Sequence, residues 1–167
     1  MTFHLYIMRH AKSDMAGVGM SDFDRPINMK GEKCSSRIGQ WMFDNNHLPQ
    51  KIISSSANRA RQTIELVAKQ LNNSLESINY EKDLYLAEPD TLLEYINLYK
   101  ESVESLMLVA HNPGLEQIVN FLSEDSESNY RSMSTANLAV LKYASNQFDP
   151  TIDKGKLIEF IKPKELD

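Results

Sequence analysis

Apolar runs and helix-period patterns alternate along the chain. FHLYIM, residues 3–8, reads as a buried strand, after which a polar stretch rich in Gly, Ser and Asp runs to Pro26. Asn28 is the expected N-cap of a helix in which Cys34, Ile38, Trp41 and Met42 recur at i, i+4, i+7 and i+8. That spacing puts Cys34 on the buried face, as packing rather than a reactive thiol. The helix is expected to end by Asn45, Asn46 and Pro49. KIISSS, residues 51–56, is a short strand that runs straight into a second helix, whose Ala60, Ile64, Val67, Ala68 and Leu71 share one face. A short strand near Ile78–Tyr80, the loop LYLAEPD and a helix from about Thr91 to Tyr99 follow. LMLVA, residues 106–110, has the continuous apolar character of a strand buried on both faces. It leads through HNPG into a helix carrying Leu115, Ile118, Val119 and Leu122. After the polar segment SEDSESNYRSMS come two last strands, NLAVLKY and KLIEFI, around a loop containing Asp149 and Pro150.

Strands that alternate with helices predict an α/β fold with a largely parallel sheet covered on both faces. The last two strands have no helix between them, so they can pair antiparallel and make the sheet mixed. A length of 167 residues fits one domain, expected over 1–167. With 41% hydrophobic and 25% charged residues, the composition is that of an ordinary globular domain. A net charge of -5 argues against a nucleic-acid partner. No apolar run approaches a membrane span and no signal-peptide pattern opens the chain, so a soluble cytoplasmic protein is expected. One cysteine allows no internal disulfide and no thiolate zinc cluster.

In open α/β sheets, ligands bind beyond the carboxyl ends of the strands, near the point where strand order reverses. Polar residues that matter are therefore expected after FHLYIM, KIISS and LMLVA. Arg9 and His10 follow the first, Ser54, Ser55, Ser56 and Arg59 the second, and His111 and Asn112 the third. A neutral imidazole whose other nitrogen is held by a backbone carbonyl can attack phosphorus, which makes His10 a candidate nucleophile. Arg9 offers a planar, permanently charged fork for two phosphate oxygens. With Ser56 as N-cap, Arg59 lies in the first helical turn beside the exposed N–H groups and is assigned to the anion. Arg61 then faces solvent, where Glu65 at i+4 can pair with it. His111, expected to be cationic beside a bound phosphate, is a candidate donor to a phosphoryl oxygen. Asn112 is the expected N-cap of the next helix and a further phosphate contact, with Pro113 at the first helical position. Each of these residues alone would be an ordinary loop or cap residue. Together, at three strand ends, they describe an anion site.

The three motifs resemble those of the histidine phosphatase, or phosphoglycerate-mutase-like, superfamily. LYIMRHAKS is similar to its RHG/RHA signature, SSSANRARQT to its second arginine motif and LVAHNPG to its second histidine motif. RHAKSD, SDFDRPINMKG and HNPG together resemble the SixA-type phosphohistidine phosphatases within it. The resemblance implies a three-layer α/β/α sandwich, a covalent phosphohistidine on His10, and a phosphate pocket of Arg9, Arg59 and His111. It also implies a phosphate contact at Ser13 and a substrate-side arginine at Arg25. For the general acid it offers two residues, Asp22 and Glu88, with Asp22 slightly favoured.

The expected reaction is an in-line, two-step transfer that needs no metal or other cofactor and releases inorganic phosphate. Its expected substrate is phosphohistidine on a protein such as a phosphotransfer or carrier domain. Two other readings stay open: a phosphomonoesterase for small sugar or nucleotide phosphates, and a non-catalytic phosphate- or phosphoprotein-binding module.

Overall fold

The computed structural model describes residues 2–72 and 75–166. Six strands, β1 (Phe3–Arg9), β2 (Lys51–Ser55), β3 (Ile78–Glu81), β4 (Ser105–Ala110), β5 (Leu138–Tyr143) and β6 (Lys156–Ile161), form one sheet in the order β3-β2-β4-β1-β5-β6. The β3–β2, β2–β4 and β4–β1 pairs are parallel, whereas β5 is antiparallel to both β1 and β6. Four helices connect the strands: α1 (Met29–Asp44), α2 (Asn58–Gln70), α3 (Pro89–Lys100) and α4 (Gly114–Leu122). The mixed, mostly parallel sheet is as the sequence pattern predicts.

Strand alternation divides the core into two layers. Phe3, Leu5 and Ile7 of β1 join Leu106 and Leu108 of β4 and pack on Leu92, Ile96, Leu115 and Ile118 of α3 and α4. Tyr6 and Met8, with Met107 and Val109, point the other way onto Ile38, Met42, Ile64 and Val67 of α1 and α2. Helices therefore cover both faces of the sheet. At 25 cal/mol per Å² of apolar surface, each fully buried Leu or Ile in these layers contributes about 2 kcal/mol. Among the described residues, no helix is long and apolar enough to cross a membrane.

The topology fixes where a ligand can sit. β1 leads into α1 on one face, while its parallel neighbour β4 leads into α4 on the other. The chain thus parts in opposite directions at the ends of two adjacent central strands, which opens the crevice that strand-order reversal predicts. Gly31 and Gly114 let backbone close in around it. A Cβ at Gly31 would lie 2.3 Å from the Lys12 carbonyl oxygen, and one at Gly114 would lie 2.2 Å from that of Ala87.

The local capping and exposure signals of the sequence match the structure in part. Asn28 caps α1 as expected, its side chain accepting from the Gly31 N–H. Ser56 does not cap α2: the N-cap is Ala57, without a side-chain bond, and the helix starts at Asn58. α3 starts at Pro89, two residues before the expected Thr91. Asn112 does accept from the Glu116 N–H, but the N-cap position belongs to Pro113 and α4 starts at Gly114. Arg61 is half-buried, with its guanidinium 3.7 Å over the Tyr80 ring instead of out in solvent. Cys34 is half-buried against the α1–α2 layer, where it also reaches the wall of the cleft described below.

Candidate active site

β1 ends by handing its backbone to two neighbours. The His10 N–H donates to the Ala110 carbonyl, and the Arg9 and His10 carbonyls both accept from the Ala136 N–H. The next N–H, on Ala11, donates to the Thr63 hydroxyl, which in turn donates to the Arg59 carbonyl. This clamp joins β1 to the first turns of α2 and sets His10 against Arg59.

His10 is 7% exposed. Its Nδ1 lies 2.8 Å from the Ala11 carbonyl oxygen, which can only accept, so the Nδ1 proton is donated there. Nε2 keeps its lone pair and faces the Arg59 Nε–H at 3.4 Å. Burial, opposed by the Ala11 bond and reinforced by Arg59, Arg9 and Arg25, pulls the His10 pKa from 6.5 to about 4. At neutral pH the ring is a neutral, oriented imidazole with one free nitrogen. The sign for activity follows directly. A protonated Nε2 cannot attack, and a depressed pKa confines that loss to acid. After correction for substrate ionisation, kcat/KM is expected to hold from pH 7 to about 5 and to fall through about 4. A limb centred at 6.5 would contradict this geometry.

Three cationic or hydrogen-bonding groups surround that nitrogen. Arg59, 3% exposed, places Nη1 on the Asp22 carbonyl at 2.7 Å and Nη2 on the Asp22 carboxylate at 3.1 Å. Arg9 anchors Nη1 on the Met133 carbonyl at 3.0 Å, and burial lowers its pKa despite the nearby Glu116 carboxylate. His111, 2% exposed, has its ring centroid 5.1 Å from that of His10. Its pKa is pulled to about 3, by burial first and then by His10 and Arg59. The cationic form expected of His111 is thus not its resting state; it requires a dianion beside it.

Four buried side-chain polar atoms lack a hydrogen-bond partner among the described residues, and three of them, Arg9 Nε, His111 Nδ1 and Asn137 Nδ2, belong to this region. Buried donors cost stability when unpaired and are normally matched, so orphans gathered at one place mark where an acceptor binds.

The other sequence-predicted residues divide. Arg25 donates Nη2 to Ser13 Oγ at 2.7 Å, Nη1 to the Asp22 carboxylate at 2.8 Å and Nε to the Asp14 carbonyl. This ties Ser13, Asp22 and Arg25 into one rim over His10. Asn112 is committed elsewhere, donating to the Met133 carbonyl and accepting from Glu116, so it steadies the loop that anchors Arg9. Glu88 is exposed at the N-terminus of α3, with no side-chain cap bond. Asp22 is bound by Arg25, Arg59 and the Tyr85 hydroxyl, which hold its carboxyl far below the usual carboxylate range. A carboxyl held ionised in this way is a poor proton donor, which weakens the assignment of Asp22 as the acid. Among the described residues, no three His, Cys, Asp or Glu side chains are placed to share a metal ion.

Two residues carry more than their sequence signals suggested. Ser55 Oγ accepts from the Ala57 N–H and lies 2.7 Å from His111 Nε2, the one acceptor its buried hydroxyl proton meets among the described residues, so that proton goes to the nitrogen. His111 is thereby held with its own proton on Nδ1. Tyr85 donates to Asp22 and sets its ring edge-on to His111, with centroids 5.4 Å apart. Ser55→Ala frees the His111 tautomer and removes both buried hydrogen bonds of that hydroxyl. It is expected to lower kcat about tenfold with little change in KM, and to cost about 2 kcal/mol of stability. Steady-state kinetics with a melting curve checks both.

The profile of the Histidine phosphatase superfamily (branch 1) matches residues 5–90. The chain belongs to the histidine phosphatase superfamily. That family assigns it to the phosphatase class of hydrolases. An uncharacterised Mycobacterium tuberculosis protein is 29% identical over 165 residues, covering 94% of this chain and all of that one. An Agrobacterium tumefaciens protein carrying the SixA phosphohistidine phosphatase name superposes with a TM-score of 0.83 at 31% identity, over 96% of this chain and 98% of that one. The protein histidine phosphatase SixA in complex with tungstate shares the fold, with a TM-score of 0.82 at 22% identity over 99% and 100% of the two chains. A Bacillus anthracis phosphoglycerate mutase shares the fold more distantly, at a TM-score of 0.63 and 14% identity over 99% and 95% of the two chains.

Proposed function

We propose that this histidine phosphatase hydrolyses phosphohistidine on a protein through a phosphoryl intermediate on His10. The observation that carries the proposal is the state of His10: neutral, with Nδ1 fixed on the Ala11 carbonyl and Nε2 turned towards Arg59. Such a nitrogen attacks phosphorus in line. The N–P bond of the substrate breaks as the new one forms, and the leaving imidazole takes up a proton. Arg9, Arg59 and His111 Nδ1–H hold the equatorial oxygens, where charge gathers. A phosphoryl dianion raises the pKa of His111, which strengthens its hydrogen bond as the reaction proceeds. Water then cleaves the phosphoenzyme and inorganic phosphate leaves. The two guanidinium groups and the His111 N–H supply the neutralisation that a metal ion would otherwise give, so a chelator is expected to leave the activity intact.

Two things favour phosphohistidine over an ester. Asp22 is locked as an anion, and a phosphoramidate protonated at nitrogen departs with little help from an acid, whereas an alkoxide does not. The cleft at His10 is also open, with exposed Lys12 and Lys30 at its margin, which suits a side chain presented on a protein surface. The named SixA relatives act in the same direction by analogy. Asp22→Asn loosens Arg59 and Arg25 without removing a proton donor. It is therefore expected to raise KM about fivefold and to change kcat on phosphohistidine less than about threefold. If kcat collapses instead, Asp22 is the acid.

The deciding comparison is kcat/KM on a phosphohistidine protein against a panel of sugar and nucleotide monophosphates. Preference for the protein supports the proposal. Preference for the esters makes the chain a small-molecule phosphomonoesterase, and absence of turnover on either leaves a phosphate-binding module.

A further inference from the structure

His10 lines a cleft of about 440 Å³. Its walls also take in Arg9, Ser13, Arg25, the first turn of α1 and the short 3₁₀ turn Pro163–Leu166. β6 runs parallel to β1, since each is antiparallel to β5, so Lys162 just beyond β6 emerges at the same sheet end as His10. Lys164 lies in the 3₁₀ turn, which packs against α1, and Lys30 lies in the first turn of α1. Lys12 is held beside them because its carbonyl accepts from the Asn28 N–H, under the side-chain-free Gly31.

The charge along this cleft is one-sided. Six of the chain's 18 lysines and arginines line it and no aspartate or glutamate does, although the whole chain carries a net charge of -5. Lys12, Lys30, Lys162 and Lys164 have no carboxylate at ion-pair distance among the described residues. Like charges gathered in a concave, partly desolvated place repel one another, and the same field draws in an anion. The transferred phosphoryl group is already matched by Arg9, Arg59 and His111, so these four lysines exceed what it needs. Asn137 also lines this cleft, is 1% exposed, and keeps its amide Nδ2 without a partner among the described residues, so the unmatched donors extend from the phosphoryl site into the lysine-lined cleft.

We infer that the cleft contains a second anion subsite, formed by Lys12, Lys30, Lys162, Lys164 and Asn137, for a carboxylate or phosphate carried beside the transferred phosphoryl group. The inference rests on the phosphatase reading of His10 only for its choice of substrates; binding tests it separately. On a protein substrate the second anion is a glutamate or aspartate flanking the phosphohistidine. On a small substrate it is a second phosphate.

Calorimetric titration of orthophosphate and tripolyphosphate into the wild-type chain, K30Q/K164Q and K142Q/K156Q provides the test. Lys142 and Lys156 pair with each other at the opposite end of the sheet, so the last variant removes equal charge away from the cleft. Tripolyphosphate is expected to bind about tenfold more tightly than orthophosphate, an advantage lost in K30Q/K164Q and kept in K142Q/K156Q. In parallel, phosphohistidine peptides with glutamate flanks are expected to show about tenfold higher kcat/KM than those with glutamine flanks, through KM. A glutamate preference that K30Q/K164Q abolishes supports the subsite and makes carboxylate the source; a tripolyphosphate preference alone supports it with phosphate as the source. Absence of both preferences, or an equal loss in K142Q/K156Q, overturns the subsite. Absence of peptide turnover with the tripolyphosphate result intact overturns the phosphatase reading and leaves the subsite standing.

Discussion

Replacing His10 with alanine is expected to lower turnover at least about 10⁴-fold while leaving phosphate binding within about fivefold. The reason lies in how the ring is held. Nδ1 is fixed by the carbonyl of the next residue, Ala11, so the ring's orientation is set by its own backbone and no neighbouring side chain is held in its place. His111 is the nearest other imidazole, but its Nε2 accepts from Ser55 and its Nδ1 carries the proton, so it has no lone pair to offer phosphorus. Arg9, Arg59 and His111 stay in place in the variant, which is why binding persists. Because the buried ring is neutral at pH 7, its removal leaves no unpaired buried charge behind. The variant is therefore expected to fold and to melt within a few degrees of the wild type. Turnover on phosphohistidine and an equilibrium phosphate titration, run on the same preparation, check both halves.

Arg59→Met is expected to lower kcat/KM about 10²–10³-fold, or about 3–4 kcal/mol of transition-state stabilisation, with much of the loss in kcat. Among the described residues, Arg59 is the side chain that hydrogen-bonds both the His10 nucleophile and the Asp22 rim. Its charge is almost fully buried, so its field acts on the phosphoryl oxygens with little screening by water. Methionine keeps most of the volume and the apolar stem and removes the charge. Arg59→Lys keeps a charge but lacks the planar fork and is expected to recover no more than about tenfold of the loss. Complete recovery by lysine would reduce Arg59 to a point charge.

The candidate site residues are legible in the sequence because they obey a rule of topology rather than of sequence neighbourhood. FHLYIM, KIISS and LMLVA announce themselves as strands by apolar content, and a mostly parallel sheet brings their carboxyl ends together whatever the loops do. Arg9, His10, Arg59 and His111 need no further information. Asn28 was readable for a local reason: the cap bond spans three residues. Ser56 misled because three serines stand in a row, and which of them serves the helix depends on strand alternation. Ser55 points into the core and takes both the Ala57 N–H and the His111 ring, 56 residues away. Tyr85, Asn137 and the Met133 carbonyl lie in loops whose paths the hydrophobic period does not encode. Their roles depend on contacts far apart in sequence: Tyr85 to Asp22 and Met133 to Arg9. The roles suggested for Asp22 and Asn112 changed for the same reason. The partners that ionise the one and occupy the other come from distant segments.

The central claim is that Nε2 of His10 carries the phosphoryl group between substrate and water. Rapid quenching of the enzyme with a ³²P-labelled phosphohistidine protein, followed by peptide mapping, tests it most directly. The account predicts an acid-labile, base-stable label on the peptide containing His10, absent from His10→Ala. Turnover at the wild-type rate with no label on that peptide, or a label that persists in His10→Ala, would contradict it.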